Sequence, residues 1–497
     1  MFRLFTYLTF IFSTQTLYSQ QGFKKLYSGE ITGAAFSNII LNNDTLVTTG
    51  ILTTDTSANY TALMITLLDT NGTIIHTNLL FDPDIILTEP GYALIKTSNG
   101  QFATVGRYVG AHSSFLAIYN SDGTLDKYVK YPDSIAFLYW LNSLVELPDG
   151  FLLGGNRIGP DYTGFQLIRT DQNGNIKWQK NYYHSNIVEG LSNLSYIDNN
   201  TFLIGGGRCN CEIDPLSETW FHSFILAVDS LGNKKWEWEN NSGTETTVDN
   251  LQFISGHGWI YTTGRFEYFS QPEKWGYQSK IVCRDYDFNL LWERNISQTV
   301  SQENILHGLA SDDKGDWIAI GEWVTPILQN GPANYKGASI SKTSVNGDSL
   351  WNRLDTVLYN PQAAVSTYLG GLVIFPSGSI IAAGYVEEPL TLRPYGLLIK
   401  VNKDGCIDTT FCQTNSALDM ENITKTKVFP TLTNGLVHIE NPIGSSIKVH
   451  TLMGSLVMEK TVTDIDETID FTNLPAGQYI IFMGDKRITI TYKVIKI

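Results

Sequence analysis

Two stretches decide the fold: Phe202-Leu203-Ile204-Gly205-Gly206 and, further on, Ala227-Val228-Asp229-Ser230-Leu231-Gly232-Asn233-Lys234-Lys235-Trp236. The first reads as an apolar strand ending in glycine. The second reads as a strand, an Asp-rich turn and a return strand entered on a tryptophan. Both recur along the chain. The first returns as Leu46–Gly50, Phe102–Gly106, Phe151–Gly155, Ile260–Gly264, Trp317–Gly321 and Ile380–Gly384, always with an apolar residue four before the final glycine. The turn of the second returns at Asp69–Gly72, Ser121–Gly123, Asp171–Gly174, Asp287–Asn289, Val345–Gly347 and Lys403–Gly405. A third set precedes the first piece: Asn42–Asp44, Ser98–Gly100, Pro148–Gly150, Asp198–Asn200, Ser255–Gly258, Asp312–Gly315 and Pro376–Gly378. Asn-Gly and Asp-Gly turns need positive φ and mark hairpins.

Each unit is therefore strand, tight turn, strand, longer loop, strand, tight turn, strand. The units follow one another at about 55 residues, within the range of propeller blades. Seven four-stranded units predict an all-β chain built on a seven-bladed β-propeller over residues 21–412. Trp178, Trp236, Trp292 and Trp351 follow the second turn. These segments resemble the tryptophan-docking repeat of quinoprotein-like propellers, in which the Trp packs between blades. A residue repeated in most blades serves the scaffold before it serves a ligand. Asp69, Asp171 and Asp229 recur at one repeat position and are turn formers by the same reasoning. Phe23-Lys24-Lys25-Leu26-Tyr27 resembles Ile176–Tyr182 and is expected to supply the outer strand of the last blade, covering an open edge.

The ends of the chain speak of export. Arg3, an apolar run from Leu4 to Phe12 and a polar exit at Ser19-Gln20 form the pattern of a cleaved signal peptide, residues 1–20. That run is too short to span a bilayer, and no transmembrane span is expected. After a polar linker, 413–426, come Val428-Phe429-Pro430, Asn434-Gly435-Leu436 and Leu474-Pro475-Ala476-Gly477-Gln478-Tyr479, and the chain closes on Lys493-Val494-Ile495-Lys496-Ile497. This order resembles the type A C-terminal sorting domain of type IX secretion cargo. Where that family usually carries Pro-Asn-Pro, this chain has Pro430-Thr431-Leu432. The resemblance implies contact with the type IX machinery through Pro430, Asn434, Gly435, Leu474, Gly477 and Tyr479. It also implies removal of the domain, and release or attachment at the cell surface. Residues 427–497 should form a small β-sandwich.

Composition fits an exported globular protein. Apolar residues make up 42% and charged residues 17% of the 497, which supports a real core and argues against disorder. A formal net charge of −15 disfavours a nucleic-acid partner. In an oxidising compartment the five cysteines should pair with one left over. Cys406 and Cys412 bracket a short loop and form the expected bridge. Cys283 lies in an apolar strand and reads as a small hydrophobe. Cys209-Asn210-Cys211 is too short for an easy disulfide and lacks zinc spacing.

The longer loops after the second strand are candidate binding sites, because a rigid scaffold concentrates binding residues in its loops. They are expected over 207–223, 265–279 and 322–337. They carry Trp220; Phe266, Tyr268, Phe269, Trp275 and Tyr277; and Trp323 and Tyr335. Such aromatics form a platform for sugar rings or for a partner protein, or they fold back over their own blades. Catalytic signals are weak: no His-Glu-x-x-His, no Gly-x-Ser-x-Gly, and no full acidic ladder for calcium. No metal or cofactor is expected. The reading is an exported, non-catalytic binding module for glycan or protein. Its rivals are a polysaccharide hydrolase or lyase, less readily a quinone-dependent dehydrogenase, and a structural surface protein. An acidic pair with a shifted pKa on the loop face would favour the enzyme.

Overall fold

The computed structural model describes residues 22–27, 33–53, 61–81, 87–109, 113–133, 138–159, 163–184, 187–198, 200–209, 221–242, 245–270, 273–296, 303–324, 336–355, 357, 365–388, 393–407, 427–440, 446–451, 455–462, 464, 466–484 and 489–497. All regular structure among them is β. β1 (Phe23–Tyr27) and the 27 strands that follow it form seven groups of four. The first is β2 (Ala34–Asn42), β3 (Thr45–Thr53), β4 (Thr61–Asp69) and β5 (Ile74–Leu80). The second is β6 (Leu87–Lys96), β7 (Phe102–Val109), β8 (Ser113–Tyr119) and β9 (Leu125–Pro132). The third is β10 (Leu138–Leu147), β11 (Gly150–Ile158), β12 (Thr163–Thr170) and β13 (Ile176–Tyr182). The fourth is β14 (Val188–Asp198), β15 (Thr201–Cys209), β16 (Phe221–Val228) and β17 (Lys234–Asn240). The fifth is β18 (Asp249–Ile254), β19 (Gly258–Ser270), β20 (Glu273–Arg284) and β21 (Leu290–Asn295). The sixth is β22 (Glu303–Ser311), β23 (Trp317–Val324), β24 (Lys336–Thr343) and β25 (Ser349–Asp355). The seventh is β26 (Ser366–Ile374), β27 (Ile380–Glu388) and β28 (Arg393–Val401), completed by β1, which pairs antiparallel with β28.

Within each group the strands pair antiparallel in chain order. Two pairs of neighbouring groups are also joined by a parallel bridge, the third and fourth by Thr163 to Val188 and the fifth and sixth by Gln278 to Asn304. The first strands of successive groups lie side by side, and β26 returns to β2, so the ring of inner strands is closed. Apolar side chains fill the spaces between sheets. Phe165, Phe202 and Phe224, for example, pack in one cluster with Leu152 and Leu191.

The turns behave as their residues require. Asp69 Oδ1 accepts from the amides of Asn71 and Thr73 at 2.9 and 2.7 Å, and Gly72 takes φ +74°. Asp171, Asp229 and Asp285 repeat this arrangement. The outer strand of one blade then reaches the next blade's turn. Tyr131 Oη donates to Gly174 O, Tyr182 Oη to Gly232 O, Arg294 Nε to Gly347 O and Arg353 Nη1 to Gly405 O. Asn78 does the same to Gly123 O, and at the closing junction Tyr27 Oη donates to Gly72 O. In the junction between the fourth and fifth blades a stack replaces the hydrogen bond: Trp238 lies 5.0 Å from Phe288, which takes φ +64° in the turn. The repeated tryptophans join this scheme. The indoles of Trp178, Trp292 and Trp351 donate to Ser230 O, Val345 O and Lys403 O, and Trp236 packs on Trp259 and Phe288. Their scaffold role is the observed one.

One expectation needs correction. The recurrent glycine does not end its strand. Gly50, Gly155, Gly206, Gly321 and Gly384 lie inside β3, β11, β15, β23 and β27. Each pairs with the residue just before a β-bulge in the inner strand: Phe36, Leu141, Leu191, Leu306 and Leu369. A Cβ on any of the five would overlap the carbonyl oxygen of the residue preceding that partner, such as Ala35 opposite Gly50 and Tyr368 opposite Gly384. Glycine is there because two backbones approach closely at a bulge.

The C-terminal residues have their own core. One sheet contains β29 (Lys427–Phe429), β31 (Leu436–Glu440) and β34 (Asp466–Asp470). The other contains β30 (Leu432–Thr433), β36 (Thr489–Lys496), β35 (Gly477–Gly484), β32 (Ser446–Thr451) and β33 (Leu456–Thr461). Val437, Ile439, Val449, Ile469, Phe471 and Ile481 are fully buried between them.

Candidate functional site

Every inner strand carries a register shift, and these shifts surround the ring's axis. A bulge adds a residue that the ladder does not pair, so its side chain is free to face the axis. The axial cavity holds about 550 Å³ and is lined from all seven inner strands. Asn142 and Ser143, Ser192 and Asn193, Asp249 and Asn250, and His307 and Tyr368 contribute its polar wall. Further along the same strands, Leu94, Leu144, Leu194 and Leu309 form an apolar floor.

Some of the polar groups knit blades together. Asn142 Nδ2 and Asn156 Nδ2 both donate to Leu191 O, at 3.0 and 2.9 Å, and Asn156 Oδ1 accepts from Leu191 N. Ser192 Oγ and Thr247 Oγ1 are 3.0 Å apart, and Thr247 Oγ1 donates to Asp249 Oδ1 at 3.2 Å. Others are left over. Asn142 Oδ1, Asn193 Oδ1 and His307 Nε2 are buried without a hydrogen-bond partner among the described residues. Buried polar atoms normally find a partner, so these three stand out on the wall of the cavity.

Burial raises the Asp249 carboxyl to about 6, against hydrogen bonds from Ser192 and Thr247 that favour the ionised form. Burial, helped by Lys336, lowers His307 to about 3, so its imidazole is neutral near pH 7. Its ring lies 4.4 Å from that of Tyr368. Glu322 is also raised by burial, against its ion pair with Lys336 at 2.9 Å.

A second cavity, about 470 Å³, adjoins the first and shares Asn156, Leu191 and Ser192 with it. Trp140, Ile158 and Val188 form its apolar wall, and Thr246 and Thr247 add hydroxyls. Glu189, also on this wall, accepts from Arg208 Nε at 2.7 Å and pairs with His184. Neither cavity is lined by a Lys or Arg among the described residues.

Among the described residues none of the predicted aromatics lines either cavity, and only Tyr277 touches a lining residue. Tyr277 Oη is 3.1 Å from Thr246 Oγ1, its ring lies against Gly264, and burial with nearby Asp249 raises its phenol. Trp323 packs over Gly337 of its own blade. Residues 265–279 are not a loop but the extension of β19 and β20 into one long hairpin, with only 271–272 outside the described residues. Phe266 pairs with Tyr277 and Tyr268 with Trp275 along this hairpin. The side chains of Phe266, Tyr268, Phe269 and Trp275 are not among those described; Trp220 and Tyr335 lie wholly outside the described residues. The other two connections shorten to 210–220 and 325–335 because β15, β16, β23 and β24 extend. Cys209 and Cys406 are disulfide-bonded, while Cys211 and Cys412 lie outside the described residues. Cys283 is a buried free thiol, as its strand pattern predicts. No cluster of His, Cys, Asp or Glu suited to a metal occurs among the described residues.

Sequence reasoning missed the cavity-lining residues. Their one signal was the recurrent glycine, which marks the bulge opposite.

Residues 427–497 match the family described as the secretion system C-terminal sorting domain. This segment is a type IX sorting domain. Within it, Tyr479 is buried and its hydroxyl donates to Pro475 O at 2.8 Å. Lys496 Nζ donates to Asn434 O at 2.7 Å, and Gly435 O accepts from Phe471 N. The sorting domain marks the protein for export and for release or attachment at the outer surface. No helix among the described residues is long and apolar enough to cross a membrane. No curated protein sequence matches the chain. Solved structures of similar strand arrangement include an α-L-arabinanase of Penicillium chrysogenum, 9% identical, covering 62% of this chain and 92% of that one at a TM-score of 0.38. An α-L-arabinofuranosidase of Fusarium graminearum is 10% identical over 65% and 94%, TM-score 0.40. The polysaccharide lyase Uly1 is 10% identical over 74% and 90%, TM-score 0.42.

Proposed function

We propose that the exported propeller is a non-catalytic binding module for an uncharged glycan, held at the axial cavity on the loop side of the ring. The observation that carries this reading is the cavity wall itself. It offers amide and hydroxyl groups from several blades, and Asn142 Oδ1, Asn193 Oδ1 and His307 Nε2 lack protein partners among the described residues. A sugar's hydroxyls both donate and accept, which suits such a wall. The absence of Lys and Arg from the described lining disfavours uronates and sulfated chains, whose buried charge would need a cation. Phe266, Tyr268, Phe269 and Trp275, with Trp220 and Tyr335, would extend contact outside the cavity.

The test is an array of neutral and acidic glycans probed with the mature propeller and with Asn193→Leu. Signal confined to neutral glycans and lost in the variant is expected. Signal only on acidic glycans, or no signal from folded protein, would overturn the reading and turn attention to protein partners.

Asp249 favours a second reading. A carboxyl raised to about 6 on a cavity wall can hold a proton for transfer to a glycosidic oxygen. Hydrolysis also needs a base or nucleophile, and Glu189 on the adjoining wall is tied to Arg208 and His184. Release of reducing ends from a bound neutral glycan, abolished in Asp249→Asn, would establish this alternative over simple binding.

A further inference from the structure

We infer that the pocket beside the axial cavity is a second sugar subsite, with Trp140 as its aromatic wall, so that the smallest well-bound ligand has two rings. The inference rests on the glycan reading above and goes beyond it in assigning a new site and a minimum ligand length. Three observations carry it. First, the two cavities are contiguous through Asn156, Leu191 and Ser192, so one ligand reaches both without leaving the surface. Second, the pocket has the two faces that a pyranose or furanose ring needs. Trp140 offers a flat apolar surface, and Thr246, Thr247 and Ser192 offer hydroxyls at its edge. Third, the wall is fixed in place before any ligand arrives. The Arg107 guanidinium lies 5.6 Å from the centre of the Trp140 ring, and the hydroxyl of Thr246 is held by Gly264 O at 2.8 Å. A preset wall keeps the ordering cost of binding low.

Trp140 escapes notice in the sequence because it reads as one more apolar residue of a strand. Its repeat position is not that of the docking tryptophans. Trp178, Trp292 and Trp351 sit on outer strands and bond to the next blade's turn. Trp140 sits on the inner strand β10, three residues into it, and lines the pocket.

The experiment is calorimetric titration of the mature propeller with a length series of the neutral glycan found on the array: monosaccharide, disaccharide and trisaccharide. Wild type should gain roughly five- to tenfold in affinity from one ring to two, the share expected of one aromatic contact. Trp140→Ala should lose that gain while leaving the monosaccharide affinity unchanged, and Trp140→Phe should keep most of it. A thermal melt of each variant guards against unfolding as the cause. Equal affinity for one and two rings in wild type would overturn the second subsite while leaving the glycan reading intact. An equal loss for all lengths in a folded Trp140→Ala would also overturn it. If no neutral glycan binds at all, both readings fall.

Discussion

The rim of each blade and its inner strand follow opposite rules. At the rim one arrangement is repeated around the ring: an outer-strand side chain meets the turn of the next blade, and the donors at most junctions are Tyr, Arg or Asn. At the axis the backbone repeats but the side chains do not. Each inner strand bulges, yet the unpaired residues differ and include Ser37, Asn142, Ser192, Asn250, His307 and Gly370. Uniform residues on a repeated backbone serve the repeat. Different residues on a repeated backbone serve something that is not sevenfold, such as a ligand.

The comparison can be broken by exchange. If the bulge glycines are scaffold, Gly384→Ala should cost on the order of 4 kcal/mol, because the new Cβ overlaps backbone rather than a side chain that can move. Denaturant unfolding would measure it, and a loss below about 1 kcal/mol would mean that the bulge can shift. Next in size is Glu245, a buried carboxylate between the fourth and fifth blades. It accepts from Arg284 and Tyr261, each at 2.8 Å, and from Ser223. Glu245→Ala strands the Arg284 charge and should cost about 3 kcal/mol in the same assay.

The axial residues should answer to pH instead. His307 is held neutral, with its pKa lowered to about 3 from the ordinary 6.5. The unfolded chain binds the proton first, so this contribution is whole above pH 6.5 and is lost as pH falls toward 3. His307→Asn should therefore flatten the acid limb of the stability curve, by about 1–2 kcal/mol at pH 4 once partial solvent access is allowed for. Asp249 works in the other sense. Its raised pKa favours the folded state at low pH, and that benefit fades as pH rises from 3.8 to about 6. Asp249→Asn should remove that slope. A smaller loss, about 1 kcal/mol, is expected when Tyr182→Phe deletes one rim hydrogen bond. The smallest is Asn193→Leu, within about 0.5 kcal/mol in stability, although it should weaken ligand binding. A large stability loss there would place Asn193 with the scaffold and erase the contrast.

Much of the rim was legible in the sequence, because turns leave chemical marks. Asp, Asn or Ser at the first position and, except at Phe288, Gly at φ +74° to +89° are favoured locally by these turns, whatever surrounds them. The docking tryptophans were legible because their spacing repeats with the turns. The likeness of Phe23–Tyr27 to Ile176–Tyr182 identified the seventh outer strand correctly. The axis was hidden for a physical reason. Asn142, Ser192, Asp249 and His307 belong to four segments far apart in the chain, and only closure of the ring makes them neighbours. A bulge residue also has no composition of its own, and the glycine that betrays it sits on another strand. The hairpin at 258–284 was misread because its aromatic run, Phe266 to Phe269, looks like loop cargo unless it is tested for alternation.

β1 is made first and seated last. Its partner β28 ends at Val401, and Lys24 bonds to Asp355, 331 residues away in the chain, at 2.8 Å. A polypeptide emerging N-terminus first thus carries an unpaired strand until nearly the whole ring exists, and then exposes the edge of β28 until the two meet. That interval is a window for mispairing between neighbouring chains. A short peptide of sequence 22–27, added in excess during refolding, should compete for the edge and trap rings that are complete except for their own first strand.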